Sequence, residues 1–159
     1  MFVSAMEYTI ATRPGAEGIM EQLGYHYTDG GRLEAGFKGR AGDCFTRAVA
    51  IATRRPYREV YDMVSAELGK GKSPRDGVPA KIMHKVLVDR LGWFWTPTMS
   101  VGSGCRVHLN ATDLPRGRMI CRLSRHLCAV VDAVVHDDHD PRRGGSRCVY
   151  GYWTERYEG

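Results

Sequence analysis

The pattern of hydrophobic and polar positions divides the chain into a helical part followed by a part made of strands. Residues 43–53 are alanine-rich and apolar on most sides, which predicts a buried helix that begins beside Cys44. Apolar residues recur at helical spacing over 57–68, directly after Pro56, and a third helix is predicted over 78–91. These three segments make up the predicted helical layer.

The later segments are typical of strands. They are short, rich in aromatic or β-branched residues and bounded by turn residues, at 93–96, 118–123, 127–131, 134–136 and 147–153. Asp132 and Ala133 separate two β-branched runs, which predicts a hairpin in which Val131 pairs with Val134. Helices followed by an antiparallel sheet predict an α+β fold, with N-terminal helices packed on the sheet in a single domain over 1–159.

The first 40 residues are glycine-rich and weakly patterned. They predict a short strand within 2–12, a short helix over 16–23 and a turn at 27–32. A flexible glycine-rich loop over 36–42 then leads to Cys44. Residues 1–40 are therefore set apart as a weakly patterned N-terminal segment of the same domain.

Composition places the protein among globular chains. The 159 residues are 43% hydrophobic and 9% aromatic, more than disorder allows. No apolar run approaches the roughly 20 residues that a membrane span needs, and residues 1–13 lack the pattern of a signal peptide. We therefore expect a cytoplasmic protein with no membrane partner.

The formal net charge of +5 raises the expectation of an anionic partner. The basic residues are scattered, however, with short clusters only at 54–55, 70–72 and 142–143, and acidic residues are plentiful. An ordinary solvated surface is therefore favoured, and nucleic acid is a possible partner that is not favoured.

Five cysteines occur at spacings that match no familiar framework. Their number is odd and no Cys-x-x-Cys pair occurs, so neither a closed set of disulfides nor a zinc ribbon is predicted. In a reducing compartment most of them are expected to be small buried hydrophobic residues. The five are Cys44, Cys105, Cys121, Cys128 and Cys148.

Cys44 differs from the others because it follows a glycine-rich loop and begins a buried helix. A helix N-terminus directs partial positive charge at a thiol and favours the thiolate, which is the reactive form. The same junction leaves backbone N–H groups beside the sulfur, where an oxyanion would form. Cys44 is therefore the candidate nucleophile.

His126 is the candidate base, because it begins the strand that precedes the predicted turn. In the predicted register, side-chain alternation places His126, Cys128, Asp137 and His139 on one face, with Asp137 diagonally across from His126. A carboxylate in that position holds the tautomer of the imidazole and stabilises its charged form. Asp137 is therefore the candidate orienting residue.

Alternatives to these assignments stay open. Asp138 would point to the other face, and Asp140 would serve only if the strand ended in a bend. Cys128 shares the face of His126 and is a rival thiol, although burial within a strand makes it less reactive than Cys44.

A metal site is the other reading of the histidines and carboxylates at 136–140. Nitrogen and oxygen donors at this density suit zinc or manganese. Strand alternation places His136 and His139 on opposite faces, which argues against a joint site. No metal and no other cofactor is predicted.

The order Cys44, His126, Asp137, with the cysteine on a helix and the others on an antiparallel sheet, resembles the papain-like superfamily of cysteine peptidases. The segment 126–137 looks like that family's histidine strand, turn and orienting-residue strand. The stretch 42–153 is similar to small uncharacterised proteins of phages and bacteria. The resemblance implies a papain-like fold and a thiol protease that cuts a protein or peptide substrate through a thioester acyl-enzyme.

The chain departs from the papain-like pattern just before the cysteine. That family usually places a glutamine there to complete the oxyanion hole, whereas here Lys38, Arg40 or a backbone amide would have to serve. Asp43 directly precedes Cys44, and its negative charge would oppose thiolate formation unless the side chain turns away. The stretch 42–44 also resembles ovarian-tumour-type deubiquitinases, although their histidine–aromatic ending is missing.

The function predicted from the sequence is a cysteine hydrolase, either a peptidase or an isopeptidase. One rival is a transglutaminase-like or amidase-like acyl transferase that uses the same three residues. The other is a non-catalytic binding protein, such as a phage-encoded inhibitor or a nucleic-acid-binding module, on the same fold.

Overall fold

The computed structural model describes residues 20–155, which form a mixed α+β fold as the sequence predicts. The helices are α1 (Cys44–Thr53), α2 (Tyr57–Leu68) and α3 (Ala80–His84), and α3 continues as a π-helical segment over Lys85–Arg90. The strands are β1 (Gly24–Tyr27), β2 (Phe94–Pro97), β3 (Val107–His108), β4 (Arg118–Leu123), β5 (His126–Val131), β6 (Val134–Asp137), β7 (Cys148–Val149) and β8 (Gly151–Thr154).

Helix α1 is enclosed by the sheet and by α2, which explains why its sequence is apolar on most sides. It ends at Arg54, whose backbone is left-handed with φ of 57° and whose N–H binds the carbonyl groups of Ala50 and Ile51. Pro56 then precedes the first turn of α2, where its missing N–H costs nothing. Within residues 20–155, no helix has both the length and the apolar composition that crossing a membrane requires.

The main sheet has six strands in the order β1-β6-β5-β4-β8-β2. Neighbouring strands in this sheet are antiparallel except for the edge pair β1–β6, which is parallel. One face contributes Ile120, Leu127, Ala129 and Trp153 to a core shared with the helices. The other face, with Met119 among its buried residues, packs beneath the loops and the small β3–β7 sheet.

The N-terminal segment is more structured than the sequence predicts, because β1 lies at 24–27. This strand is short, and its hydrogen bonds are to β6, more than 100 residues later, with Gly24 opposite Val134 and Tyr27 opposite Asp137. A pairing at that distance leaves no local periodicity to detect. The predicted strand within 2–12 lies outside the described residues, as do positions 16–19 of the predicted helix, and 20–23 are not helical.

The predicted β5–β6 hairpin is confirmed. Val131 pairs with Val134 across the turn, and both Asp132 and Ala133 have positive φ, at 47° and 66°. Positive φ at both central residues is the geometry of a two-residue turn whose twist suits a hairpin. The register that places Asp137 near the start of β5 is therefore fixed by this turn.

The sequence predicts no closed set of disulfides, and the structure contains one bridge that it did not reveal, between Cys105 and Cys148. The two residues are 43 positions apart and meet beside the β3–β7 pair, in which His108 lies opposite Cys148. Spacing rules could not reveal this bridge, since it depends on two very short strands pairing over a long distance. Cys44, Cys121 and Cys128 are free thiols.

Candidate active site

The β5–β6 hairpin brings His126 and Asp137 together. The Nε2–H of His126 donates to Oδ2 of Asp137 at 2.6 Å, and only 4% of the Asp137 side chain is exposed. The backbone N–H of Asp138 donates to the other oxygen, Oδ1, at 2.8 Å. Because both oxygens are engaged, the carboxylate has a fixed orientation toward the imidazole.

The other two candidate carboxylates face different partners. Asp138 lies 2.7 Å from Nδ1 of His139, and Asp140 pairs with Arg142 at 2.8 Å. Asp137 is therefore the carboxylate that the structure places on His126.

Cys44 is the first residue of α1 and lies against the imidazole of His126. Burial of the ring lowers the pKa of His126, but the hydrogen bonds to Asp137 and Cys44 and the electrostatic interaction with each of them outweigh it. Together these partners raise the pKa of His126 from 6.5 to about 9. These partners therefore favour the charged form of the imidazole at neutral pH.

Asp43 turns away from the thiol, which removes the objection raised by its position in the sequence. Its buried carboxylate binds Arg47, lies 2.9 Å from Nε of Arg32 and accepts a hydrogen bond from the Tyr57 hydroxyl at 2.6 Å. Burial and this hydrogen bond raise the pKa of Tyr57. With its charge neutralised there, Asp43 makes no capping hydrogen bond to the first turn of α1.

Arg47 is a site residue that the sequence reasoning missed. It is 8% exposed, and its guanidinium binds Asp43 on one side and lies 3.9 Å from Oδ1 of Asp137 and 3.4 Å from Oδ1 of Asp138 on the other. It therefore links the helix of Cys44 to the carboxylate behind His126. A charged residue inside an otherwise apolar helix was the available signal, because a buried charge needs a partner.

Two clefts meet at Cys44 and His126. The apolar cleft, of about 520 Å³, is lined by Phe45, Val78, Met83, Leu123, Leu127 and Tyr150, with Asp76, Arg122 and Arg125 also on its walls. The polar cleft, of about 560 Å³, is lined by Tyr27, Asp29, Arg40, Asp138 and His139, among others. Gly42, Cys44, Arg125 and His126 border both clefts, so a chain lying across them would pass over the thiol.

The groups available to bind an oxyanion differ from those of a glutamine-containing site. The N–H of Gly42 is taken by the carbonyl of Arg75 at 2.7 Å, whereas the first N–H groups of a helix have no intrahelical partner. Of the two basic residues considered from the sequence, Arg40 lines the polar cleft, and the carbonyl of Lys38 accepts hydrogen bonds from Arg32 and Arg75.

A metal-compatible group exists, but it is not the one considered from the sequence. His126, Asp137 and His139 offer ligand atoms that lie within 4.8 Å of one another. His136 instead packs against His26, with ring centroids 5.2 Å apart. Because His126 and Asp137 already bind each other and Arg47 adds positive charge, the arrangement favours an acid–base pair over a cation site.

A larger cavity, of about 660 Å³, opens at the opposite end of α1. Two of its three arginines have structural partners: Arg118 donates to the carbonyl of Ala52 at 3.1 Å, and Arg55 pairs with Glu59 at 2.7 Å. Among residues 20–155, no cysteine or histidine lines this cavity. The chemistry therefore concentrates at the N-terminal end of α1.

Comparisons with family models, with curated proteins and with solved structures found no match to this chain.

Proposed function

We propose that this protein is a cysteine hydrolase of the papain-like kind, a peptidase or isopeptidase, with Cys44 as nucleophile, His126 as base and Asp137 as orienting residue. The observation that supports the proposal most directly is the contact chain from Cys44 through His126 to Asp137, which ends in a 2.6 Å hydrogen bond. Its position at the meeting point of two clefts supports a polypeptide substrate.

The proposed reaction begins when the Cys44 thiolate attacks a substrate carbonyl carbon, whose oxygen takes up the electron pair. Backbone N–H groups in the first turn of α1, with Arg40 nearby, stabilise that oxyanion. His126 gives its proton to the leaving amine as the C–N bond breaks, which leaves a thioester on Cys44. The neutral imidazole then takes a proton from water, whose oxygen attacks the thioester carbonyl. The C–S bond breaks and the acid product departs, which restores the Cys44 thiolate and the protonated imidazole.

Asp137 and Arg47 support this reaction without touching the substrate. Asp137 keeps the ring of His126 oriented and favours its charged form. Arg47 neutralises the carboxylates on both sides of it, so that neither negative charge opposes a thiolate at Cys44.

The test is turnover of a fluorogenic peptide pool by the wild type and by Cys44→Ala, with and without an added primary amine. We expect hydrolysis by the wild type and a loss of roughly 10³-fold or more in the variant, since the members of such a unit act together. Cys121→Ala is the matched control, because it removes a thiol outside both clefts.

The products separate the rival functions. Transfer of the acyl group to the amine in preference to water would show an acyl transferase that uses the same residues. Absence of turnover, together with no selective alkylation of Cys44, would refute the enzyme and favour the non-catalytic binding protein.

A further inference from the structure

Among the described residues, three arginines around the catalytic pair take part in no ion pair with a carboxylate. Arg40 lines the polar cleft, Arg122 lines the apolar cleft and Arg125 borders both. Among residues 20–155, none of the three takes part in an ion pair. By contrast, Arg32 and Arg47, which lie close by, are both paired with Asp43. Unpaired positive charge is therefore present where a substrate would lie.

The acidic groups of the clefts do not balance this charge. Both oxygens of Asp29 accept backbone N–H groups at 2.9 Å, and Asp138 is held by Arg47 and His139. Asp29 and Asp76 are the two cleft carboxylates without an ion pair among the described residues, so three unpaired arginines face two unpaired carboxylates. The positive field also reaches neighbouring groups, since burial and then the charge of Arg122 lower the pKa of His84.

The apolar cleft adds a second requirement to this charge pattern. Phe45, Met83 and Leu127 are each less than 9% exposed, yet all three border the open space beside Cys44. An aliphatic or aromatic side chain that entered this space would displace water from apolar surface. The cleft therefore suits an apolar side chain of a bound peptide. The residues on either side of it in that peptide would lie within reach of Arg122 and Arg125.

We infer that the substrate is an acidic polypeptide segment in which an apolar residue enters the apolar cleft and flanking carboxylates bind Arg40, Arg122 and Arg125. Guanidinium–carboxylate pairs can be bidentate, which gives orientation as well as attraction. The net charge of +5 would also steer an acidic partner toward the protein. This inference rests on the proposed function because it takes the two clefts to be the substrate site.

The test measures binding to Cys44→Ala, which cannot turn the peptide over. Two fluorescein-labelled peptides are compared by fluorescence anisotropy: one leucine flanked by glutamates, and the same peptide with glutamines. We expect the glutamate peptide to bind about tenfold more tightly at low salt, with the advantage shrinking as salt screens the pairs. Adding Arg125→Glu to Cys44→Ala should remove that advantage.

Arg116→Glu is the matched control, because it makes the same change of net charge at an exposed position that borders neither cleft. It should retain the preference for the glutamate peptide. Arg40→Glu lies on a separate loop and tests the same inference if the Arg125 variant fails to fold. Equal binding of the two peptides, or an equal loss in Arg125→Glu and Arg116→Glu, would overturn the inference.

The two proposals fail in different ways. If the wild type cleaves neutral peptides with no preference for acidic ones, the proposed substrate class is wrong and the proposed hydrolase function is supported. If acidic peptides bind selectively but the wild type never cleaves them, the proposed binding site is supported and the proposed hydrolase function is refuted.

Discussion

Two free thiols of this protein lie at opposite extremes of environment. Cys44 is half-buried at the first turn of α1, lies against the imidazole of His126 and opens onto two clefts. Cys128 lies within β5, is 1% exposed and faces Cys121 across the β4–β5 pair. The hydrogen bond with Cys121, followed by burial, raises the pKa of Cys128 well above its ordinary value.

The difference indicates that the element carrying a cysteine sets its environment more than its distance from a histidine along the chain does. Cys128 is two residues from His126, whereas Cys44 is far from it in sequence. A strand interior surrounds a thiol with apolar neighbours and leaves it protonated, while a helix start supplies positive potential and access to solvent.

The largest expected effect is in alkylation by iodoacetamide at neutral pH. Cys44 should react at least about 100-fold faster than Cys121 or Cys128, because the buried thiols are both protonated and shielded. Peptide mapping by mass spectrometry measures each site. In denaturant the three rates should converge, and comparable rates in the folded protein would break the contrast between the two thiols.

Asp137→Asn should have the next largest effect. Without the carboxylate, the pKa of His126 should fall from about 9 toward 6.5, and alkylation of Cys44 at pH 7 should slow by roughly tenfold or more. The rate at Cys128 should not rise, since its shielding is unchanged. Histidine NMR signals across a pH titration measure the shift, and an unchanged His126 titration would contradict the role given to Asp137.

The same ionisation makes a prediction about stability. The pKa of His126 is higher in the folded protein than its ordinary value of 6.5, so its charged imidazole stabilises the fold. This contribution is complete below about pH 6.5. That contribution is lost as pH rises toward 9, and it amounts to no more than about 3 kcal/mol in the free energy of unfolding. Between pH 6.5 and 9, the free energy of unfolding measured by chemical denaturation should therefore decline less in Asp137→Asn than in the wild type.

The smallest effect is expected from Cys128→Ala. The substitution leaves a small cavity in the core that Cys128 shares with Val130 and Val135, so we expect a loss of about 1–2 kcal/mol in the free energy of unfolding. Alkylation of Cys44 should be unchanged. A strong decrease in that rate would assign Cys128 a part in the chemistry and remove the distinction between the two thiols.

The hairpin and the helix start were predictable because their signals are local. Two β-branched runs around Asp132 and Ala133 fix a register, and an alanine-rich segment after glycines fixes the beginning of α1. From these alone the approach of Asp137 to His126 could be predicted, and the structure brings them together.

What the sequence did not reveal depends on distant pairing. β1 requires β6, the Cys105–Cys148 bridge requires β3 to meet β7, and the role of Arg47 requires α1 to lie beside β6. In each case one partner has an unremarkable local sequence. Asp43 illustrates the same limit, since its effect on Cys44 depends on the rotamer that Arg32, Arg47 and Tyr57 impose.

The Cys105–Cys148 bridge closes a covalent ring that includes His126 and Asp137 but excludes Cys44. On the chain-entropy relation, closing a ring over a sequence separation of 43 destabilises the unfolded state by about 4 kcal/mol at 25 °C. A reducing agent added to protect the Cys44 sulfur from oxidation would also open this ring. A buffer that protects the proposed nucleophile can therefore destabilise the strands that carry the proposed base, and the optimum concentration of reductant is expected to be intermediate.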